Sequence, residues 1–421
     1  MVIRPQICHM IIESIIIENF RGISSIEIPV ADRHFNLLVG INGAGKSSVL
    51  DALAYVFSWF LARVRNPKSG GRVIPEADIK NDSQTGCKII TKVKDAGEWV
   101  LYRAKSYKKK KTDAGETQLH DMMGYIAQLH ERVAGGGNIP VIMYYPVGRA
   151  IGNAPAHLTK NGRKAEIWDA YGNVLNGNVD FRSFFEWYRR QEDSENEHIR
   201  DDRNYVDRDL AIIRSAIKGV FPEFGDLRVR RNPQRFVINK GDKQIEFNQL
   251  SQGEKCYLVM VCDLARRFAI ANPGRSNPLE GEGVVLIDEL DLHLHPKWQM
   301  EVVGKLRQIF PNCQFFATTH SPHVLSDVSN EQIYLLDNGE IRQNSYNPYG
   351  KLVNDVLSSY FSIPMPRNIN IISEISDAYE ALKTGDSCEF KKIFGRLSER
   401  LGKSDPDVVS LKIESLRKGI K

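Results

Sequence analysis

Apolar residues along the chain follow two periodicities, one typical of strands and one typical of helices. Residues 11–18, 23–29 and 35–39 are strand-like, with alternating or continuous apolar side chains. From residue 48 to residue 61 the apolar positions recur every three or four residues, which predicts a helix. The pattern therefore predicts a strand that leads through a glycine-rich turn into a helix.

The same patterns predict alternating strands and helices over the rest of the chain. Residues 87–93 and 98–106 suggest a hairpin, 122–133 a helix and 140–145 a buried strand. Between residues 181 and 218, charged and aromatic residues occur without heptads, which predicts two helices outside the core. The remaining predicted elements are short strands at 228–231, 235–239 and 244–247, buried strands at 283–287 and 314–318, a hairpin around Asn338-Gly339, and helices at 352–361, 370–382, 390–401 and 408–416.

Composition narrows the class of protein only a little. The 421 residues are 42% hydrophobic and 26% charged, which is ordinary for a soluble globular protein, and a net charge of +5 permits nucleic-acid contact without requiring it. Six cysteines lack C-x-x-C spacing, so neither a zinc site nor a disulfide framework follows. Glu13 and Glu18 interrupt the apolar N-terminus, and we expect no bilayer-spanning window. We expect a soluble cytoplasmic protein.

The turn after the third predicted strand carries the strongest chemical signal. Residues 40–47 read Gly-Ile-Asn-Gly-Ala-Gly-Lys-Ser, the P-loop pattern G-x-x-x-x-G-K-[ST]. Glycines allow backbone N–H groups to surround phosphates, and the following helix adds the positive end of its dipole. Lys46 is expected to reach the β- and γ-phosphates and Ser47 to ligate Mg²⁺. The sequence therefore predicts a nucleoside triphosphate site.

Three later segments supply the rest of a nucleotide site. Residues 250–254, Leu-Ser-Gln-Gly-Glu, open a helix; Ser251 and Glu254 also have capping-box spacing, so an ordinary helix start is the alternative. The strand at 283–287 ends in Asp288 and Glu289, which are placed to hold Mg²⁺ through water and to polarise an attacking water. The strand at 314–318 leads to His320, which can reach a γ-phosphate.

In this order the four segments resemble the ATP-binding cassette ATPases, and most closely the branch that contains RecF and the SMC proteins. The resemblance implies an α/β fold class: an ATPase head with a mixed sheet flanked by helices, a helical insertion and a small α-helical C-terminal end. It implies ATP and Mg²⁺ as cofactors and two ATP molecules held in a head-to-tail homodimer. The implied ATP-binding residues are Gly40, Asn42, Gly43, Gly45, Lys46, Ser47 and Ser48.

The resemblance also assigns roles to the later segments. It implies that Ser251, Gly253 and Glu254 act on the partner's ATP, that Asp288 assists the metal, that Glu289 is the general base and that His320 is a switch. Arg21, within an Asn-Phe-Arg-Gly segment typical of this branch, is a further candidate for a phosphate contact. One departure is that the strand at 140–145 ends in Tyr-Tyr-Pro and not in the family's metal-coordinating glutamine. Gln84, Gln118 and Gln128 are poor replacements.

Further segments resemble compact ATPases of bacterial anti-phage systems, including PtuA-like ATPases of Septu and OLD-type ATPases. They are residues 291–296 (Asp-Leu-His-Leu-His-Pro), 184–188 and 263–267. His293 and His295 invite a metal assignment, but hydrogen bonding without metal is the favoured interpretation. In the tail, Asp377, Glu380 and Asp386 do not have the spacing of a TOPRIM nuclease, and no His-Asn-His cluster occurs.

The resemblance therefore implies a regulatory ATPase subunit that controls a separate effector, either an HNH nuclease like PtuB or a toxin as with the PARIS ATPase AriA. The expected regions are 1–180 (N-terminal half of the head), 181–220 (helical insertion), 221–345 (C-terminal half) and 346–421 (helical end). Assembly beyond a dimer stays open. The alternatives are a RecF-like clamp on DNA ends, with residues 108–111 and 228–235 along the DNA path, and a transporter ATPase.

Overall fold

The computed structural model describes residues 9–105, 115–148, 165–175, 181–232, 234–342, 346–361 and 367–419. Its contacts divide the chain into two compact units, Met1–Val353 and Asn354–Lys421. The strands are β1 (Ile12–Phe20), β2 (Ile23–Pro29), β3 (Phe35–Val39), β4 (Gly86–Val93), β5 (Gly97–Ala104), β6 (Val141–Tyr145), β7 (Phe224–Arg231), β8 (Gln234–Lys240), β9 (Lys243–Glu246), β10 (Gly283–Ile287), β11 (Cys313–Thr318), β12 (Ile333–Asp337) and β13 (Glu340–Arg342).

The helices are connected to these strands in alternation through most of the first unit. They are α1 (Lys46–Arg65), α2 (His120–Ala134), α3 (Phe181–Asp201), α4 (Arg208–Val220), α5 (Gln252–Ala271), α6 (Pro296–Gln299), α7 (Val302–Ile309), α8 (Pro322–Leu325), α9 (Val353–Phe361), α10 (Ile369–Thr384), α11 (Ser387–Leu401) and α12 (Pro406–Arg417).

A mixed sheet with the order β13-β12-β3-β11-β10-β6 forms the centre of the first unit. Its described pairs are parallel except for the antiparallel hairpin β12–β13. Every residue of β3, β6, β10 and β11 is buried, which explains their mainly apolar sequences. The buried amides of Asn36 and Gln314 donate hydrogen bonds to backbone carbonyl groups. Because these strands are parallel, the polar residues that follow β3, β10 and β11 meet at one edge of the sheet.

A second sheet, antiparallel with the order β2-β1-β4-β5, covers the other side of α1. Helix α1 contacts β1, β4 and β5 of this sheet, β11 of the central sheet, and α2. It is therefore apolar on most of its surface, and it is the helix in the described part of the chain with the length and composition of a membrane span, although 61% of that window is buried. This corrects the expectation of no such window; burial between two sheets gives the same composition as burial in lipid.

Helices α3 and α4 contact a third sheet, β7-β8-β9, and also helix α5. This corrects the prediction of two helices outside the core. The rings of Phe185 and Tyr188 on α3 lie 4.3 and 5.5 Å from that of Phe236 on β8. Buried Glu195 on α3 accepts two hydrogen bonds from Arg214 on α4, at 2.8 and 2.7 Å. The insertion is thus an α/β cluster held by an aromatic core and a bidentate ion pair.

The second unit has its own small core on α10, α11 and α12. Its buried apolar residues recur at helical spacing, and they are Ile375, Ala378, Ala381, Leu382, Phe390, Ile393, Leu397, Val408 and Leu411. Arg367 pairs with Asp405 at 2.8 Å and with Asp407 at 2.9 Å, at the start of α12. The C-terminal end is helical, as predicted.

The predicted α/β fold class, with a mixed sheet and flanking helices, is confirmed. Some element ends differ from the predictions: α1 begins at Lys46, two residues before the predicted start, and continues to Arg65. The short helices α6, α7 and α8 were not predicted. The basic run 108–111 lies outside the described residues. The division of the chain at residues 180, 220 and 345 stays a prediction.

Candidate functional site

The loop between β3 and α1 has a backbone that favours glycine. Gly43 and Gly45 have φ angles of 82° and 103°, and Gly45 directly precedes α1. A Cβ on Gly40 would lie 2.2 Å from the carbonyl oxygen of Leu336 on β12. These conformations and this close approach exclude larger side chains, so the loop's N–H groups stay accessible at the start of α1.

Lys46 extends back across this loop. Its Nζ donates hydrogen bonds to the carbonyl oxygens of Gly40 and Ile41, each at 2.9 Å. Burial lowers the pKa of Lys46, and the negative charges of Asp288, Glu289 and Asp291 oppose that shift. The ammonium group is therefore directed into the loop and faces carboxylates on the neighbouring strands.

The ends of β10 and β11 meet the start of α1 through Asp288. Its Oδ1 accepts hydrogen bonds from Ser47 Oγ at 3.0 Å and from Thr318 Oγ1 at 2.6 Å. Thr318 Oγ1 in turn accepts from the backbone N–H of Glu289 at 2.7 Å, and Glu289 has a φ of 48°. Sequence analysis missed Thr318; the available signal was a hydroxyl side chain at the end of a mainly apolar buried strand.

His320 is positioned by a second carboxylate, Asp291. Asp291 Oδ1 accepts from Thr319 Oγ1 at 2.6 Å and from the backbone N–H of His320 at 3.3 Å. Burial lowers the pKa of His320, with a further contribution from Lys46, while the three nearby carboxylates act in the opposite direction. The neutral imidazole is therefore favoured at neutral pH.

These residues surround one cavity of about 540 Å³. Its lining includes the predicted P-loop residues, Asp288, Glu289 and His320, together with residues that the sequence did not assign to the site. The lining residues are Gly22, Asn42, Gly43, Ala44, Gly45, Lys46, Ser47, Ser48, Asp288, Glu289, Thr318, His320, Asn338 and Gly339.

The oxygen donors in this cavity fit Mg²⁺. Ser47 and Asp288 offer a hydroxyl and a carboxylate 3.0 Å apart, and Mg²⁺ commonly takes one or two protein oxygens together with phosphate and water. Within the described ranges, no group of three or more His, Cys, Asp or Glu residues is arranged for a metal ion. His293 and His295 are both exposed, and His295 Nδ1 accepts from the backbone N–H of Lys297 at the start of α6.

Ser251, Gly253 and Glu254, which are predicted to act on the partner's ATP, do not belong to the cavity lining. They are called the signature residues below. Ser251 and Glu254 form the expected capping box, with bonds of 3.3 and 2.8 Å, and Lys240 donates to Glu254 at 2.5 Å. Burial alone would raise the pKa of Glu254, but the bonds from Lys240 and Ser251 lower it. A Cβ on Gly253 would lie 2.1 Å from the carbonyl oxygen of His293, so the helix start packs against the segment that follows Glu289.

Arg21 is next to the cavity but is bound to carboxylates. Its Nε donates to Asp78 at 2.9 Å and its Nη1 to Asp51 at 2.5 Å. Burial alone would lower the pKa of Arg21, but these bonds raise it. Asp51 also accepts from the hydroxyl of Tyr144 at 2.7 Å. Sequence analysis missed this network, although Asp51 lies four residues after Ser47 and so on the same side of α1.

The end of β6, where the family's glutamine is expected, is held by tyrosines. Tyr145 donates to fully buried Asp263 at 3.1 Å, and Asp263 accepts from Arg266 and Arg267, each at 2.9 Å. Burial would raise the pKa of Asp263, but the two arginines lower it. Among the described residues, no glutamine lines the cavity. The segment 263–267 serves this buried hydrogen-bond network, which explains its charged residues structurally.

Comparisons with known proteins show which family and which proteins the chain is similar to. The sequence profile of the family described as "RecF/RecN/SMC N terminal domain" matches residues 11–341. The chain is 26% identical to the retron Ec83 probable ATPase of Escherichia coli, over 94% of this chain and 85% of that protein. It is 23% identical to the Septu protein PtuA of Bacillus thuringiensis, over 96% and 98%. A solved Smc head domain bound to ScpA, derived from Pyrococcus furiosus, aligns over 79% of this chain and 95% of that one with 14% identity and a TM-score of 0.45.

Proposed function

The chain belongs to the RecF/RecN/SMC N-terminal domain family, and we propose that it is an ATP-binding and ATP-hydrolysing regulatory subunit of a bacterial anti-phage defence complex. The observation that carries the ATPase part is the single cavity shared by Lys46, Ser47, Asp288, Glu289 and His320. The defence part is supported by relatives named as a Septu protein and as retron ATPases, which align over most of their own length.

The proposed roles follow from the positions of the side chains. The N–H groups of the P-loop and Lys46 bind the phosphates, and Ser47 and Asp288 hold Mg²⁺. When bound, Mg²⁺ would neutralise charge on the β- and γ-phosphates. Glu289 accepts a proton from the attacking water, and neutral His320 hydrogen-bonds to the γ-phosphate. Thr318 positions Asp288 and the backbone of Glu289 together.

We also propose that a second copy of the chain completes each site. Gly253 and Glu254 are buried against residues of their own chain, Ser251 is exposed, and none of the three lines the cavity. In a head-to-tail homodimer, the start of α5 would instead contact the γ-phosphate held by the partner subunit. Two ATP molecules would then lie between the heads, and hydrolysis would open them; assembly beyond this dimer is compatible with the same contact.

The effector in this proposal is a separate protein, either an HNH nuclease like PtuB or a toxin. The test is affinity purification of the tagged chain from its native locus, followed by mass spectrometry, with wild type and Glu289→Gln compared. A small HNH protein in stoichiometric amount supports a Septu-like complex, and a different bound effector supports a toxin. A chain that purifies alone, and whose deletion leaves phage infection unchanged, would overturn the proposal.

A second candidate function is a clamp on DNA ends, as in RecF. The observation that favours it is the basic strand β7: the Arg228 side chain is 64% exposed and pairs with Asp226 at 3.6 Å. Against it, Arg231 is bound by Glu192 and Asp193. Duplex binding that tightens with ATP and weakens steeply with salt would support this function. No binding at low salt would remove it.

A further inference from the structure

The order of strands determines which residues lie at each end of the cavity. β10 and β11, which carry Asp288, Glu289 and His320, lie on one side of the P-loop strand β3, and β12 and β13 lie on the other. The turn between β12 and β13, Asn338-Gly339, lines the same cavity. Three strand spacings separate β10 from β12, about 14 Å at roughly 4.8 Å each. The cavity therefore extends across the sheet edge on both sides of the P-loop.

The chemistry of the lining differs between the two sides. The carboxylates Asp288 and Glu289 and the imidazole of His320 lie on the β10–β11 side, which fixes that side for the γ-phosphate. The opposite wall contains Gly22, Asn338 and Gly339, with neither a charged side chain nor a metal ligand among these described residues. A nucleoside triphosphate that follows the P-loop from the first side must therefore place its nucleoside against the second.

The turn that carries Asn338 is held firmly in this position. Asn338 and Gly339 have φ angles of 50° and 79°, as a two-residue hairpin turn requires. A Cβ on Gly339 would lie 3.1 Å from the carbonyl oxygen of Gly22, so the turn packs on the turn between β1 and β2. Arg342 also pairs with Asp337 at 2.6 Å, beside the turn.

We propose that Asn338 determines nucleotide specificity by binding the adenine base. This inference rests on the proposed ATPase function and deepens it. The side chain of Asn338 is exposed at the cavity wall, and on that wall it supplies the carboxamide. A carboxamide offers one acceptor and two donors, which match the N6 amino group and N7 of adenine. Guanine presents two acceptors at those positions, so its O6 would face the oxygen of the carboxamide.

The alternative is that Asn338 is present only because the turn requires positive φ. Asn338→Gly separates the two, because a Gly-Gly turn keeps the backbone conformation and removes the carboxamide. Asn338→Asp is the second variant: it also tolerates positive φ but loses the donors. Unfolding temperatures of both variants close to that of the wild type would establish that the turn is intact.

The experiment measures dissociation constants of the full-length chain with Mg²⁺ for ATP, GTP and inorganic tripolyphosphate. Asn338→Gly is expected to weaken ATP binding by about 5- to 100-fold, with the GTP and tripolyphosphate constants unchanged. Asn338→Asp should also lose ATP affinity. Unchanged ATP affinity in Asn338→Gly would overturn the inference, and so would equal losses for ATP and GTP, which would indicate a ribose contact.

Failure of the proposed function gives a different result. If the wild type binds neither ATP nor tripolyphosphate with Mg²⁺, the nucleotide site itself is wrong, and the inference is overturned with it. Lys46→Ala is the matched control, because it should weaken all three ligands together by removing a phosphate contact. The ratio of ATP to GTP affinity therefore reports on Asn338, and the absolute affinities report on the P-loop.

Discussion

Two halves of the proposed ATP site are equally complete in sequence but differ in structure. The phosphate side (Lys46, Ser47, Asp288, Glu289, Thr318 and His320) is assembled around one cavity within a single chain. The signature side (Ser251, Gly253 and Glu254) is folded just as fully, with its capping box closed and Glu254 bound by Lys240, yet it lines no part of that cavity. Local completeness of a motif therefore does not show which surface the motif serves.

The two halves are connected through the segment that follows Glu289. Asp291 accepts hydrogen bonds from Thr319 and from the backbone of His320, on the phosphate side. Two residues later, the carbonyl oxygen of His293 approaches Gly253, on the signature side, with a φ of 63° at His293. A shift of Asp291–His293 would therefore reach both halves, which places a short connection between the proposed hydrolysis site and the proposed contact with a partner subunit.

The largest expected effect separates chemistry from assembly. Glu289→Gln keeps the size and shape of the side chain but replaces the basic carboxylate by an amide, so ATP hydrolysis should fall by about 10²- to 10⁴-fold. ATP binding should persist and closed dimers should accumulate, as measured by single-turnover kinetics and sedimentation with ATP. Adding Ser251→Arg to this variant should remove the dimer without removing ATP binding. Hydrolysis by Glu289→Gln at the wild-type rate would show that Glu289 is not the base.

The next largest effect tests the packing of the signature side on its own chain. Gly253→Ala would place a methyl group 2.1 Å from the carbonyl oxygen of His293, and relieving that overlap should cost about 1–3 kcal/mol of unfolding free energy. Urea unfolding without nucleotide measures this loss. Gly124→Ala on α2 is the control, because nothing lies within 4 Å of the added methyl group, and it should be neutral or stabilising. Equal stability of the two variants would contradict the intrachain contact.

Features that depend on local sequence patterns were predictable, and contacts between residues far apart along the chain were not. The fold class was predictable because β3, β10 and β11 are mainly apolar stretches and the motifs directly after them resemble those of a known family. The contacts of Arg21 with Asp51 and Asp78 were not predictable, because they join residues 30 and 57 positions apart. The contact between His293 and Gly253 was not predictable for the same reason: the two residues are far apart along the chain, and no local pattern indicates that they meet.

A smaller effect tests whether the hydrogen bond between Tyr144 and Asp51, which lies outside the cavity lining, stabilises the phosphate side. Tyr144→Phe removes the hydroxyl that donates to Asp51 at 2.7 Å, and should cost about 0.5–1.5 kcal/mol of unfolding free energy. Burial first, and then the charge of Asp51, raise the pKa of Tyr144, so the hydroxyl is protonated and able to donate. Tyr102→Phe removes an exposed hydroxyl bonded to Thr85, and should cost less. Equal losses of unfolding free energy would mean that the bond to Asp51 stabilises the protein no more than an exposed hydroxyl bond does.

The smallest expected effect distinguishes the two halves by pH. Burial and Lys46 hold the pKa of His320 below its ordinary 6.5 in the folded chain, so the unfolded chain binds more protons just below pH 6.5. The stability of the nucleotide-free protein should therefore fall as pH drops below 6.5, relative to His320→Gln, which lacks the titrating group. Urea unfolding of both proteins from pH 8 to pH 5.5 measures the difference.

The signature side should respond in another pH window. The bonds from Lys240 and Ser251 hold the pKa of Glu254 below its ordinary 4.5 despite burial, so its contribution is present above pH 4.5 and is lost only as pH falls further. Glu254→Gln should therefore differ from the wild type at pH 5.5 by the same amount as at pH 8. If the difference between Glu254→Gln and the wild type instead changes between pH 6.5 and pH 5.5, Glu254 and His320 are coupled, and the separation between the two halves is wrong.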